Sequence, residues 1–145
     1  MAGTASTPVF VKDGMYMSFT ADDAVTIGNV VELTTTGTDT CTVATVADGS
    51  TTILGVAVGG DRFSRTQTDN VIAAASKVTV ISRGVVRVYT DTSTILVGSH
   101  VEAGASGTVA LTGTNGTSIP QDVIGVALDA NSSAAATIRV QLRLS

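Results

Sequence analysis

The feature that most constrains the fold is an internal repeat, in which one segment matches the chain seventy residues further on. Residues 9–60 aligned with residues 79–130 share eleven identical residues without a gap. The clearest match is Ile-Leu-Gly-Val-Ala-Val at 53–58 with Val-Ile-Gly-Val-Ala-Leu at 123–128. A unit this short does not bury its own apolar face well and is stabilised by packing against a second unit. The repeat therefore predicts two similar halves, related by a pseudo-twofold axis, around one core.

Four glycines keep their register in the repeat. Glycine adopts positive φ and permits close backbone approach, so paired glycines are typical of turns and β-bulges. We expect such turns or bulges at four pairs of positions: Gly14 and Gly84, Gly28 and Gly98, Gly37 and Gly107, Gly55 and Gly125.

The segments between these glycines favour β-strands. They are rich in valine, isoleucine and threonine, which suit a pleated, half-buried surface, whereas aromatic residues make up only 3% of the chain. Their regular spacing is typical of a compact all-β sandwich or barrel. Runs bounded by turn residues predict strands near 8–12, 15–20, 29–35, 40–46, 52–58, 77–82, 85–90, 99–103, 107–112, 122–128 and 136–144.

The chain length of 145 residues predicts a single domain. Within it we expect a flexible N-terminal arm at 1–8, a first repeat half at 9–78 and a second half at 79–145. The halves differ most at residues 59–70, a loop longer than its counterpart after residue 128. This loop either carries function or covers one end of the barrel.

Composition and local sequence argue against binding of nucleic acid, against a membrane helix or secretory signal, and against a disulfide or a metal site. The net charge of −4 provides no basic surface for nucleic acid, and no apolar run reaches the ~18 residues that a membrane helix needs. Met1–Phe10 lacks the basic start and apolar stretch of a secretory signal. The single cysteine, Cys41, excludes an intrachain disulfide and a cysteine-rich zinc site. Asp22-Asp23 lacks the further oxygen ligands of a calcium loop.

The sequence offers no recognisable catalytic group. His100 is the only histidine, and neighbouring strand residues face opposite sides, so it cannot form a dyad with Ser99. Glu32 and Glu102 occupy equivalent repeat positions, but each follows a valine, and strand alternation then turns both toward solvent. We therefore expect no catalytic, cofactor or metal site, and a structural or binding protein rather than an enzyme.

Short motifs of glycine and valine occur in a fixed order between residues 14 and 90, and Gly98–Leu144 repeats much of this order. They are Gly28-Asn29-Val30-Val31, the segment Ile53–Val58, Val78-Thr79-Val80 and Gly84-Val85-Val86. In this order the chain resembles the capsid cement, or head-decoration, proteins of tailed bacteriophages. The resemblance implies a β-rich protein, made in the host cytoplasm, that decorates and stabilises the outer surface of an icosahedral head. It also implies contacts that bridge major capsid subunits, and a homo-oligomer, a trimer, on the capsid.

The alternative is a β-domain on a virion or cell surface that binds carbohydrate or a receptor. A sugar-binding domain presents aromatic rings on an exposed face. We interpret Tyr16, Phe19 and Tyr89 instead as side chains that pack within the strands, which favours the structural function.

Two segments are candidates for the capsid contact. The N-terminal segment could add as a strand to an exposed capsid edge, or it could be a frayed terminus tied to its own sheet. The second candidate is the long loop, which places arginines beside one of three phenylalanines. The candidate contact residues are Pro8, Val9, Phe10, Val11, Arg62, Phe63 and Arg65.

Overall fold

The protein is all-β, as expected. A computed structural model describes residues 15–34, 42–46, 52–60, 70–91, 93–112, 123–132 and 136–143. This part of the chain contains a single-turn 3-10 helix, Ala105–Gly107, and thirteen strands. The strands are β1 Met15–Ala21, β2 Val25–Thr26, β3 Val30–Thr34, β4 Thr42–Thr45, β5 Ile53–Gly60, β6 Val71–Ile72, β7 Lys77–Tyr89, β8 Thr94–Ile95, β9 His100–Ala103, β10 Val109–Leu111, β11 Val123–Ala127, β12 Asn131–Ser132 and β13 Thr137–Arg143.

Five strands close into a barrel in the order β1-β4-β3-β5-β7, because β7 also pairs with β1. The β1–β4 pairing is parallel, and the other four pairings are antiparallel. The short strands β2 and β6 pair with each other outside this ring. Closing the sheet removes the exposed edges on which β-proteins otherwise aggregate.

The second half follows the same strand order, β7-β13-β11-β9-β10. A parallel bridge between Thr90 and Val109 links β10 back to the end of β7, and β8 pairs with β12 as β2 pairs with β6. Backbone hydrogen bonds recur as well. The amide of Gly28 donates to the carbonyl of Ala57 at 2.8 Å, and seventy residues on, Gly98 donates to Ala127 at 2.8 Å. The repeat in the sequence is therefore a repeat in strand pairing.

Along β1, equivalent residues of the two halves are 69 residues apart in sequence and not seventy. The Ala21 amide donates to the Ser76 carbonyl at 2.9 Å, and the corresponding bond, from Thr90 to Ala136, is 2.8 Å long. Thr90 therefore corresponds to Ala21, which lies 69 residues earlier. Structural equivalence along β1 follows this offset.

Strand β7 belongs to both halves. Its first part pairs with β1 and β5, and its second part pairs with β13. The strands predicted at 77–82 and 85–90 are thus one continuous strand, and the predicted division after residue 78 falls inside it. Gly84, near its centre, has φ of 121°, a backbone conformation that side chains with a Cβ rarely adopt.

Buried apolar side chains form two clusters. The first fills the first barrel: Ala21, Val25, Val31, Val43, Ala57, Ile72, Val78 and Val80. The second is larger and combines residues of both halves: Val30, Val46, Val56, Val58, Ile81, Val86, Val88, Ile95, Val101, Ala103, Val109, Ile124, Ala127, Ile138, Val140 and Leu142. Since the larger cluster contains first-half valines, the first half completes the core of the second.

The two halves contact each other through unlike faces, so the predicted pseudo-twofold axis is wrong. We call the face of the second half that carries Tyr89 and Gly107 its front, and the face of the first half that carries Gly28 and Val46 its back; the corresponding faces of the other half take the same names. A twofold contact would give equivalent residues equivalent surroundings. Instead, Val30 is buried in the larger cluster, whereas His100, its equivalent, is exposed. Ile81 is likewise buried, whereas its equivalent Gln141 is exposed. The first half contributes its back and the second half contributes its front. The shared strand β7 joins the halves in this arrangement, because it leads from the first barrel directly into the second.

Candidate functional site

The contact residues predicted from sequence lie outside the described residues. This holds for all seven, Pro8, Val9, Phe10, Val11, Arg62, Phe63 and Arg65, as well as for Cys41. Their assignment stays a prediction. The described surfaces are those of the two barrels and of the turns that join their strands.

The expectation that both repeat-related glutamates face solvent is wrong. Glu102 is only 1% exposed, and Glu32 is half-buried. Strand alternation does not turn Glu102 toward solvent because both faces of β9 are covered, since Val101 and Ala103 are buried together with Glu102. His100, at the start of β9, is exposed; its carbonyl accepts hydrogen bonds from the Thr112 hydroxyl at 2.6 Å and from the Thr112 amide at 3.2 Å.

One polar cluster closes an end of the second barrel. Asp91 Oδ1 accepts hydrogen bonds from the Ser93 amide at 2.8 Å and the Ser93 hydroxyl at 2.5 Å. The Ser93 Oγ in turn accepts a bond from the Leu111 amide at 3.1 Å. The buried Asn131 donates its Nδ2 to the carbonyls of Ser93 at 3.1 Å and Asp91 at 3.4 Å. These contacts are internal, so the cluster ties β8, β10 and β12 together.

The same cluster distinguishes the halves. Asn131 pairs with Ile95 as Ile72 pairs with Val25, and Thr90 corresponds to Ala21. Polar residues of the second barrel therefore replace apolar residues of the first. The Thr90 hydroxyl satisfies the backbone by accepting from the Ala136 amide at 3.0 Å. Burial of Thr90 and Asn131 is tolerated because both are hydrogen-bonded.

An ion pair holds the turn between β11 and β13. Arg139 donates Nε to Asp129 Oδ2 at 3.0 Å and Nη2 to Oδ1 at 2.8 Å, and its amide also donates to Oδ2 at 2.9 Å. The Arg139 side-chain hydrogen bond is the main reason that the pKa of Asp129 falls to about 2. Both side chains are partly exposed, at 51% and 31%, so the pair contributes little to stability.

The large apolar side chains that are more than half exposed lie at two separate places. Tyr16 and Met17 on β1 are 51% and 54% exposed. Leu96 and Val97, in the turn between β8 and β9, are 65% and 66% exposed. Exposed apolar surface of this kind is typical of interaction sites.

The aromatic residues do not all pack as predicted. Phe19 packs against the core of the first barrel, as interpreted from the sequence. The Tyr89 ring lies over Gly28, where a Cβ would be 3.0 Å from the ring atom Cε2. Tyr16 is half exposed, so the packing interpretation is wrong for this residue.

The described residues contain neither a metal-binding cluster nor a membrane-spanning helix. None of their His, Cys, Asp and Glu side chains form a group of three or more that could hold a metal ion. Within the same ranges, no helix has the length and apolar character required to cross a membrane.

Comparisons with known proteins identify a similar fold. No protein-family model and no curated protein matches the chain. Among solved structures, the chain is similar to the N base of the head fiber gp8.5 in bacteriophage phi29. The TM-score is 0.60 at 20% sequence identity, over 89% of this chain and 95% of the other. At this identity the likeness concerns the fold, and it extends over nearly the whole of both chains.

Proposed function

We propose that the protein is a virion structural protein that decorates and stabilises the outer surface of an icosahedral phage head by bridging major capsid subunits. The observation that carries this proposal is the likeness of fold to a phage head fiber base along almost the full chain. The motif order over residues 14–90, which resembles head-decoration proteins, supports it independently of that likeness.

The described structure suits such a role. A closed five-stranded barrel is joined to a second half with the same strand order, and the four large apolar side chains that are more than half exposed lie on β1 and in the β8–β9 turn. The buried polar groups Thr90 and Asn131 are engaged with neighbouring backbone. Many copies on one shell reinforce it collectively even when each contact is weak. We accordingly propose a binding function without catalysis.

Co-sedimentation tests the proposal. Purified protein is mixed with undecorated expanded heads of the phage that encodes it, and the pelleted fraction is measured against protein concentration. We expect saturable binding and an increased resistance of the heads to heat or chelation. Absence of binding at saturating protein would overturn the proposal.

The two predicted contact segments are separated by variants. Deletion of residues 1–10 tests the N-terminal segment, and Arg62→Ala with Arg65→Ala tests the long loop. The matched control is Arg83→Ala with Arg143→Ala, which removes the same charge from two exposed arginines that face each other on β7 and β13. We expect head binding to weaken in at least one test variant and to persist in the control. Unchanged binding in both would remove these segments from the mechanism.

A second function is favoured by one observation, the exposed ring of Tyr16. A carbohydrate- or receptor-binding domain uses such rings as platforms. Binding of glycans that is lost in Tyr16→Ala, without any binding to heads, would support this function over decoration.

A further inference from the structure

The two halves of the chain contact each other through unlike faces. The front of the second half meets the back of the first through two backbone hydrogen bonds. The Tyr89 amide donates to the Gly28 carbonyl at 3.2 Å, and the Gly107 amide donates to the Val46 carbonyl at 3.0 Å. Around these bonds, apolar side chains of both halves merge into one buried cluster.

The front face of the first half has no such cover among the described residues. Met17 corresponds to Val86, because Met17 pairs with Val80 as Val86 pairs with Val140. Val86 is 1% exposed, whereas Met17 is 54% exposed. Leu33 is likewise exposed, whereas Ala103, its equivalent seventy residues on, is buried. At this face the first half thus exposes apolar side chains, at positions whose equivalents in the second half are buried.

The back face of the second half is open in the same way. Gly28 lies under the Tyr89 ring, whereas a Cβ at Gly98 would meet no atom within 4 Å. Beside Gly98, the turn presents Leu96 and Val97 to solvent. The turn is built as in the first half: the Ser99 amide donates to the Leu96 carbonyl at 3.0 Å.

We propose that these two faces bind each other between copies of the chain, so that the front of one copy's first half seats on the back of the next copy's second half. The exposed large apolar side chains support the assignment. Four of the seven in the described residues lie on one of the two faces, namely Met17, Leu33, Leu96 and Val97; Tyr16, Val71 and Tyr89 are the others. A contact between unlike faces propagates into a ring or a filament, unlike a twofold dimer.

Cross-linking between single-cysteine variants tests the pairing of unlike faces. In a Cys41→Ser background, one variant carries Thr20→Cys and the other Val97→Cys. Thr20 corresponds to Tyr89, and Val97 corresponds to Ile27 beside Gly28, so the two positions should adjoin across the contact. With a short bismaleimide we expect cross-linked dimers in the mixture and none with either variant alone. Dimers from a single variant would overturn the proposal, as would a mixture that yields none.

Sedimentation velocity provides the second measurement. We expect the unmodified chain to associate with increasing concentration, and Met17→Glu or Leu96→Glu to lose the associated species. Val71→Glu is the matched control, since Val71 is exposed but lies on neither face. Circular dichroism verifies that each variant folds. A chain that stays monomeric throughout, or association equally lost in the control, would overturn the proposal. These measurements contain no phage heads, so their failure is distinct from failure of the proposed decoration.

Discussion

Gly55 and Ile81 approach so closely that a Cβ on Gly55 would lie 2.1 Å from the carbonyl oxygen of Ile81. The pair recurs in the second half, where a Cβ on Gly125 would lie 2.1 Å from the carbonyl oxygen of Gln141. These glycines let the backbone of β5 lie close to the backbone of its partner β7, and the backbone of β11 close to that of its partner β13. The glycine of each Gly-Val-Ala motif is therefore required where β5 pairs with β7 and where β11 pairs with β13.

The first prediction follows from this approach. Gly55→Ala and Gly125→Ala should each lower the free energy of unfolding by roughly 2 kcal/mol or more, because a backbone carbonyl must move to accept the methyl group. Urea denaturation measures the change. Gly59→Ala is the control, since a Cβ at Gly59 would meet no atom within 4 Å. Equal losses at Gly55 and Gly59 would contradict the steric explanation.

The front-to-back packing predicts opposite effects at one repeat position. Ile81→Gln should destabilise the protein by about 3 kcal/mol, because it places an amide in the larger apolar cluster. Gln141→Ile, the reciprocal change at an exposed site, should alter stability by less than about 0.5 kcal/mol. Chemical denaturation of both variants checks the asymmetry. Similar costs for the two changes would favour a symmetric arrangement.

Asn131 should matter through its hydrogen bonds. Asn131→Ala leaves the carbonyls of Ser93 and Asp91 without its amide donor and should cost about 1–3 kcal/mol. Thr94→Ala, on the exposed side of the partner strand, is the control and should be nearly neutral. Thermal unfolding monitored by circular dichroism compares them. A neutral result for Asn131→Ala would show that the cluster does not tie the strands.

The ion pair of Asp129 predicts a small acid dependence of stability. The pKa of Asp129 is lowered from 3.8 to about 2 in the folded state, so its stabilising contribution is complete above the unfolded pKa and is lost as the pH falls toward 2. The effect should stay below about 1 kcal/mol because the pair is partly exposed. Unfolding free energies at several pH values, compared with Asp129→Asn, measure it. Parallel pH profiles for both proteins would contradict this contribution.

Much of the local structure could be predicted because its causes are local. Runs of β-branched residues between turn residues predicted the strands of both barrels, and Gly28 and Gly98 have the positive φ expected of paired turns. Short pairs such as β8 with β12 escaped prediction, since two residues carry no periodicity. The candidate contact residues at 8–11 and 62–65 rest on the sequence alone.

The sequence by itself determined the β class, the repeat and the places where the backbone turns, because chain stereochemistry and apolar patterning act over a few neighbouring residues. Only the tertiary structure decided that the halves pack front to back, that Glu102 is buried and that Tyr16 is exposed. The reason is that similar local patterns occur in both halves. Whether a given position is covered depends on which half lies against it, and this depends on β7 leading from one barrel into the next.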